Sequence, residues 1–226
     1  MPNIYITGDE KIYITAGLAS IMQSLGYYCG VYKPICTGAF EKDNFLQSKD
    51  LMTVKFFDPY IKTYFSYLLK SSAAPILSAA EEKIIIDKNV ILQDYQVIED
   101  KFEFLFVDGL SGLTTPLSKN FLEEDIIRML DLPMLLVVSG DNINNTIMSL
   151  NRAKEKGINT RGVIVYDCNE NDINIKLMPK LIKEYTDTKV LGMIPNPEKN
   201  PADLITEILN RVNIEEVFQI PIAKLK

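Results

Sequence analysis

Six short runs of apolar residues, many of them β-branched or aromatic, recur along the chain, and segments with helical periodicity separate them. The runs cover residues 3–7, 29–33, 104–108, 133–139, 162–166 and 189–194. They are continuously apolar rather than alternating, which is the pattern of strands covered on both faces. Residues 12–25 put Ile14, Leu18, Ile21, Met22 and Leu25 on one helical face. Residues 143–156 do the same with Ile147, Leu150 and Ala153 and stop at Gly157, a helix-ending signal. Two more helices are expected over 173–185 and over 202–212, the second entered through Pro201. Such alternation predicts an α/β fold, a doubly wound and mainly parallel sheet with helices on both faces. Residues 40–100 are the least regular and are expected to form a lid or lobe of helical pieces around a site. No repeat, low-complexity tract or linker interrupts the pattern, so residues 1–226 are read as one domain.

What the chain lacks narrows its chemistry. It contains no histidine. That excludes Ser-His-Asp and Cys-His catalysis and histidine-ligated metal. Lysines, carboxylates, hydroxyls and backbone amides remain, and phosphoryl transfer can run on those alone. The net charge of -6 disfavours nucleic acid as a partner. Cys29, Cys36 and Cys168 are sparse and odd in number, so neither a disulfide framework nor a zinc site is expected. No apolar run reaches the length of a membrane span and no charged leader precedes the first strand. A cytoplasmic protein without membrane partners is expected.

In doubly wound sheets ligands bind beyond the carboxyl ends of the strands, so the turns that follow each strand carry the information. The first reads Gly8-Asp9-Glu10-Lys11-Ile12-Tyr13-Ile14-Thr15, with the strand–glycine–helix layout of a phosphate-binding P-loop. An intact P-loop is GxxxxGK[ST]. Counted from Gly8, the last three positions fall on Tyr13, Ile14 and Thr15, and only the hydroxyl survives. Counted back from Gly26, Lys11 takes the lysine position, Glu10 the second glycine and Ile12 the hydroxyl, in a shortened loop. The second turn, Lys33-Pro34-Ile35-Cys36-Thr37-Gly38, places a lysine at a strand end, where it can hold a carboxylate or phosphate. The third, Asp108-Gly109-Leu110-Ser111-Gly112, joins an acid fit for magnesium to glycines that let amides approach an anion.

In order along the chain, Ile6-Thr7-Gly8, Tyr32-Lys33-Pro34-Ile35-Cys36-Thr37-Gly38, Val107-Asp108-Gly109-Leu110-Ser111-Gly112, Gly162-Val163-Ile164-Val165 and Leu191-Gly192-Met193-Ile194-Pro195 resemble the dethiobiotin synthetases. The YKPxxTG stretch is the most specific, and VDGLSG stands where that family has VEGAGG. The resemblance implies a P-loop NTPase-like fold. It implies a ligase that closes the ureido ring of dethiobiotin from 7,8-diaminopelargonate, CO2 and ATP or another nucleoside triphosphate, with Mg2+, as a homodimer. By motif position it makes Lys33 and Lys11 catalytic. Thr37, Gly109, Ser111 and Gly112 would bind the diamine. Gly8, Asp9, Glu10, Lys11, Ile12, Thr15, Asn169, Pro195 and Asn196 would bind the nucleotide. Asp50, Asp108 and Thr15 would serve the metal. The adenine-reading asparagine of the family falls on Tyr166, with Asn169 its nearest replacement. The altered Gly8–Thr15 turn supports an alternative, a catalytically impaired relative acting in ligand binding or regulation. A partitioning-type ATPase is disfavoured because its second-lysine signature is absent.

Overall fold

The computed structural model describes residues 3–139, 142–169, 171–195 and 200–222. In chain order it runs β1 (Ile4–Gly8), α1 (Lys11–Ser24), β2 (Cys29–Cys36), a hairpin of β3 (Phe40–Lys42) and β4 (Phe45–Gln47), then α2 (Lys49–Phe57). There follow β5 (Lys62–Leu68), α3 (Pro75–Glu81), α4 (Lys88–Glu99), β6 (Phe104–Asp108) and a second hairpin of β7 (Pro116–Ser118) and β8 (Phe121–Leu122). The rest is α5 (Glu123–Leu130), β9 (Met134–Ser139), α6 (Ile143–Glu155), β10 (Thr160–Cys168), α7 (Ile173–Thr186), β11 (Val190–Pro195), α8 (Pro201–Arg211) and α9 (Ile214–Phe218).

Seven strands form one parallel sheet in the order β11-β10-β9-β1-β6-β2-β5. All six expected strands are present, and so are the four expected helices. The stretch 40–100 departs from expectation. Besides a hairpin and helices it supplies β5, the edge strand beside β2. Its residues are half-buried or exposed, so the continuous apolar signature of an inner strand is absent there.

Period-two alternation sorts the strand residues onto two faces. Ile4 and Ile6, Cys29 and Val31, Phe104 and Phe106, and Leu135 and Val137 join a core with α1, α2, α8 and α9. Tyr5, Tyr32, Leu105, Val107, Leu136 and Val138 join the opposite core with α4, α5, α6 and α7. On the first face the next residue of β2 is Lys33 and the next of β6 is Asp108. Two charged side chains therefore replace the third apolar residue of neighbouring rows, directly under α1. Among the described residues no helix is long and apolar enough to cross a membrane.

Candidate active site

Register brings the charges together. Tyr32 pairs with Val107, so the following residues, Lys33 and Asp108, lie side by side on adjacent strands. Lys33 Nζ donates to Asp108 Oδ2 at 2.5 Å and to the Gly109 carbonyl at 3.1 Å, and it pairs with Asp50 Oδ2 at 2.9 Å. Asp50 comes from the first turn of α2, which Ser48 caps. Thr15, inside α1, donates to the other Asp108 oxygen at 2.9 Å. Lys11 Nζ lies 4.0 Å from Asp108 Oδ2.

Burial alone would push the Lys33 ammonium towards neutrality, but the charges of Asp108 and Asp50 overcome it and hold its pKa well above the ordinary value. Lys33 is thus a permanent cation and not a base. Burial dominates at Lys11 and lowers its pKa, with Asp108 opposing and Lys33 adding to the fall. Asp108 feels burial in the raising direction, but the two lysines and the hydrogen bonds from Lys33 and Thr15 pull it below its ordinary value. Because Asp108 titrates lower in the folded chain, its stabilising effect is fully present above its ordinary value of 3.8 and lost as pH falls through the lower folded value. In thermal melts between about pH 5 and about pH 2, Asp108→Asn is expected to flatten that acid limb relative to wild type. An unchanged limb would show that other carboxylates set it.

The start of α1 bears on how the first turn is counted. The helix begins at Lys11, and Glu10 before it adopts the left-handed conformation, φ 44° and ψ 19°, that glycine usually supplies. Tyr13, Ile14 and Thr15 lie within the helix, and Lys11 stands at its first position, where counting back from Gly26 puts the lysine. The turn holds only Asp9 and Glu10 outside regular structure. It is three residues shorter than the motif spacing allows. The Ile12 side chain is buried in the core, which leaves only its backbone to face a phosphate. Thr15 points at Asp108 and holds that carboxylate.

A cavity of about 850 Å³ lies between Gly8 and Asp9, residues 111–114, and the α6 face carrying Asn145, Thr146 and Arg152, and none of Lys11, Lys33, Asp50 and Asp108 lines it. Ser111 and Gly112 line it. Arg152 is fixed there by two bonds of 2.7 Å to the buried Glu124, which Lys156 also meets at 3.0 Å. Thr37 is half-buried just beyond β2, on the far side of β6 from this cavity.

The remaining nucleotide candidates stand further along the sheet edge. Asn169 and Pro195 lie at the ends of β10 and β11, two and three strands from β1, roughly 10 and 14 Å away. Asn169 is exposed, and its side chain accepts from the amide of Asn171. Tyr166 is buried in the core and stacks on Tyr13, centroids 6.1 Å apart and planes 5° from parallel. Asn196 lies outside the described residues.

One residue was missed at the sequence level. Glu123, at the start of α5, is fully buried and accepts from Thr7 and from the amides of Leu110 and Gly112. The run Glu123-Glu124-Asp125 reads as the acidic first turn of a helix. Nothing local marks its first member as buried.

The family model described as an AAA domain, AAA_26, matches residues 5–201. An ATP-dependent dethiobiotin synthetase BioD from Clostridium perfringens is 27% identical over 222 residues, covering 93% of this chain and 96% of its own. The protein of the same name from Methanococcus vannielii is 29% identical and covers 89% and 97%. Among solved structures, the MinC:MinD cell division protein complex of Aquifex aeolicus superposes with a TM-score of 0.57 at 16% identity. It covers 96% of this chain and 94% of the matched one, a likeness that shows the P-loop-type fold alone. The chain belongs to the AAA_26 family of AAA domains, and its similar relatives there are dethiobiotin synthetases.

Proposed function

We propose that the protein is an ATP-dependent dethiobiotin synthetase, a cyclo-ligase that forms the ureido ring from 7,8-diaminopelargonate, CO2 and a nucleoside triphosphate. The observation that carries this reading is the convergence of Lys33, which lies inside β2 and not at its end as expected, with Asp108 at the end of β6, Asp50 on α2 and Lys11 at the start of α1. That cluster sits in a chain matched over nearly its full length by enzymes of that name.

Lys33, held charged by two carboxylates, would bind the carbamate and the transferring phosphate. Lys11 heads a helix of 14 residues, whose N-terminus favours anions, and would meet the nucleotide phosphates. Gly8, Asp9, Glu10 and Ile12 would offer backbone to them, with Asn169, Pro195 and Asn196 towards the base. Thr37 with Gly109, Ser111 and Gly112 would receive the diamine. Asp50, Asp108 and Thr15 present oxygen atoms only, a donor set that suits magnesium, which commonly takes one or two carboxylates and completes its shell with phosphate and water. Bound there, the ion would neutralise phosphate charge. The working form would be a cytoplasmic homodimer.

A second reading is favoured by one observation, the two-residue turn between β1 and α1 with Glu10 where a glycine would stand. It makes the protein a ligand-binding or regulatory relative. Incubation with diaminopelargonate, bicarbonate, magnesium and each nucleoside triphosphate is expected to yield dethiobiotin by mass spectrometry. No product with any donor, together with no nucleotide binding by calorimetry, would leave the second reading standing.

A further inference from the structure

The loop after β6 closes on Glu123, whose side chain is fully buried. Among the described residues it pairs with no cation; the ion pairs of this region go to Asp108, Asp50 and Glu124. Its Oε1 accepts from the Thr7 hydroxyl at 2.7 Å and from the Leu110 amide at 2.6 Å. Its Oε2 accepts from the Gly112 amide at 3.1 Å. A buried carboxylate without a counter-ion persists only when donors spread its charge.

Two amides of one glycine-rich loop, two residues apart and converging on a single anion, form the concavity that elsewhere binds an anionic ligand. Here the chain supplies the anion. The fit is close, since a Cβ on Gly109 would lie 2.4 Å from Glu123 Oε1 and 2.3 Å from the Tyr5 ring. Gly109 itself is tied at both ends. Its amide donates to the Ile6 carbonyl at 2.8 Å, and its carbonyl accepts from Lys33 at 3.1 Å.

We infer that Glu123 is a built-in anion that fills the 110–112 nest and, by fixing the Gly109 carbonyl, acts as a positioning residue for Lys33. The amides of Leu110 and Gly112 are therefore not available to substrate or phosphate, and diamine contacts in this loop fall to Ser111 and to exposed carbonyls. The positioning half rests on the ligase reading; the nest does not.

Glu123→Ala leaves three donors around a carboxylate-sized gap. Sodium formate at tens of millimolar is expected to raise its melting temperature by several degrees over sodium chloride of equal concentration. Wild type and Glu123→Gln, whose gap is filled, should not respond. In turnover, Glu123→Ala is expected to lose about 100-fold in kcat, the size of effect a misplaced catalytic group gives, with little change in KM for the nucleotide. Formate should restore much of that loss, and Glu123→Gln should stay impaired with or without it. If Glu123→Ala does not fold in chloride, its refolding yield in formate against chloride replaces the melting shift. The absence of any formate-specific response overturns the nest. A formate response with wild-type kcat overturns the positioning role. If wild type itself makes no dethiobiotin, the ligase reading and the positioning role fall together, while the formate response still decides the nest.

Discussion

Replacing Lys33 by alanine is expected to abolish dethiobiotin formation and to weaken the fold at the same time. Among the described residues the lysine is the only group that touches Asp108, Asp50 and the Gly109 carbonyl together, and its side chain is only 4% exposed. Loss of one preorganised cation at a site of developing negative charge costs about 10²–10³ in kcat. The fold suffers because Asp108 would keep a buried charge with Thr15 and a lysine 4.0 Å away. Breaking one side of a buried pair commonly costs about 3–5 kcal/mol. The two effects separate in Lys33→Met combined with Asp108→Leu, where both charges vanish. That variant should recover part of the stability, because the buried Lys11 then loses its ion pair with Asp108, and none of the turnover. A Lys33→Ala protein that retains kcat within about tenfold of wild type would remove Lys33 from the chemistry.

Gly8→Ala is expected to have the largest effect on folding. Gly8 sits at φ +113°, and a Cβ there would lie 1.9 Å from the Val137 carbonyl oxygen of the neighbouring strand. That oxygen also accepts from the Asp9 amide at 3.0 Å, so it has no free direction in which to retreat. β1 and β9 would have to part at the centre of the sheet. A cost above about 4 kcal/mol follows, which for a domain of this size lowers the melting temperature by roughly 10 °C or more. Gly157→Ala is the control. Its φ is +69°, but a Cβ would meet nothing within 4 Å, so only backbone strain of about 1 kcal/mol is added. Calorimetric melts that show the two variants alike would mean that β1 shifts to accept the methyl.

The sheet interior and the paired charges at its edge were legible in the sequence for one reason. An inner strand must be apolar throughout, so a lysine or an aspartate at the end of such a run stands out. Lys33 and Asp108 were found that way. Their contact was not stated by any motif, and it follows from register between strands about 75 residues apart. β5 was hidden because an edge strand is covered on fewer sides, and Lys62-Thr63-Tyr64-Phe65-Ser66-Tyr67-Leu68 carries the mixed polarity that this permits. Glu123 was hidden because its burial is decided by donors contributed from Thr7 and the 110–112 loop, outside the acidic run itself. The register of the first turn needed the helix start. The helix start at Lys11 and the left-handed backbone of Glu10 bear on the two ways of counting, and neither is written in the sequence.

The place of β1 in the sheet bears on how the protein is made. Its neighbours are β6 and β9, and Tyr5 meets Met134 only after about 130 further residues have been synthesised, on the order of ten seconds of translation. β6 can cover one edge of this central strand once residues 104–108 are made, but the other edge stays open until β9 follows. Chaperone demand during synthesis should therefore fall sharply once β9 emerges, and ribosome-bound chains halted before residue 134 should be captured by holdases more strongly than chains halted after residue 139.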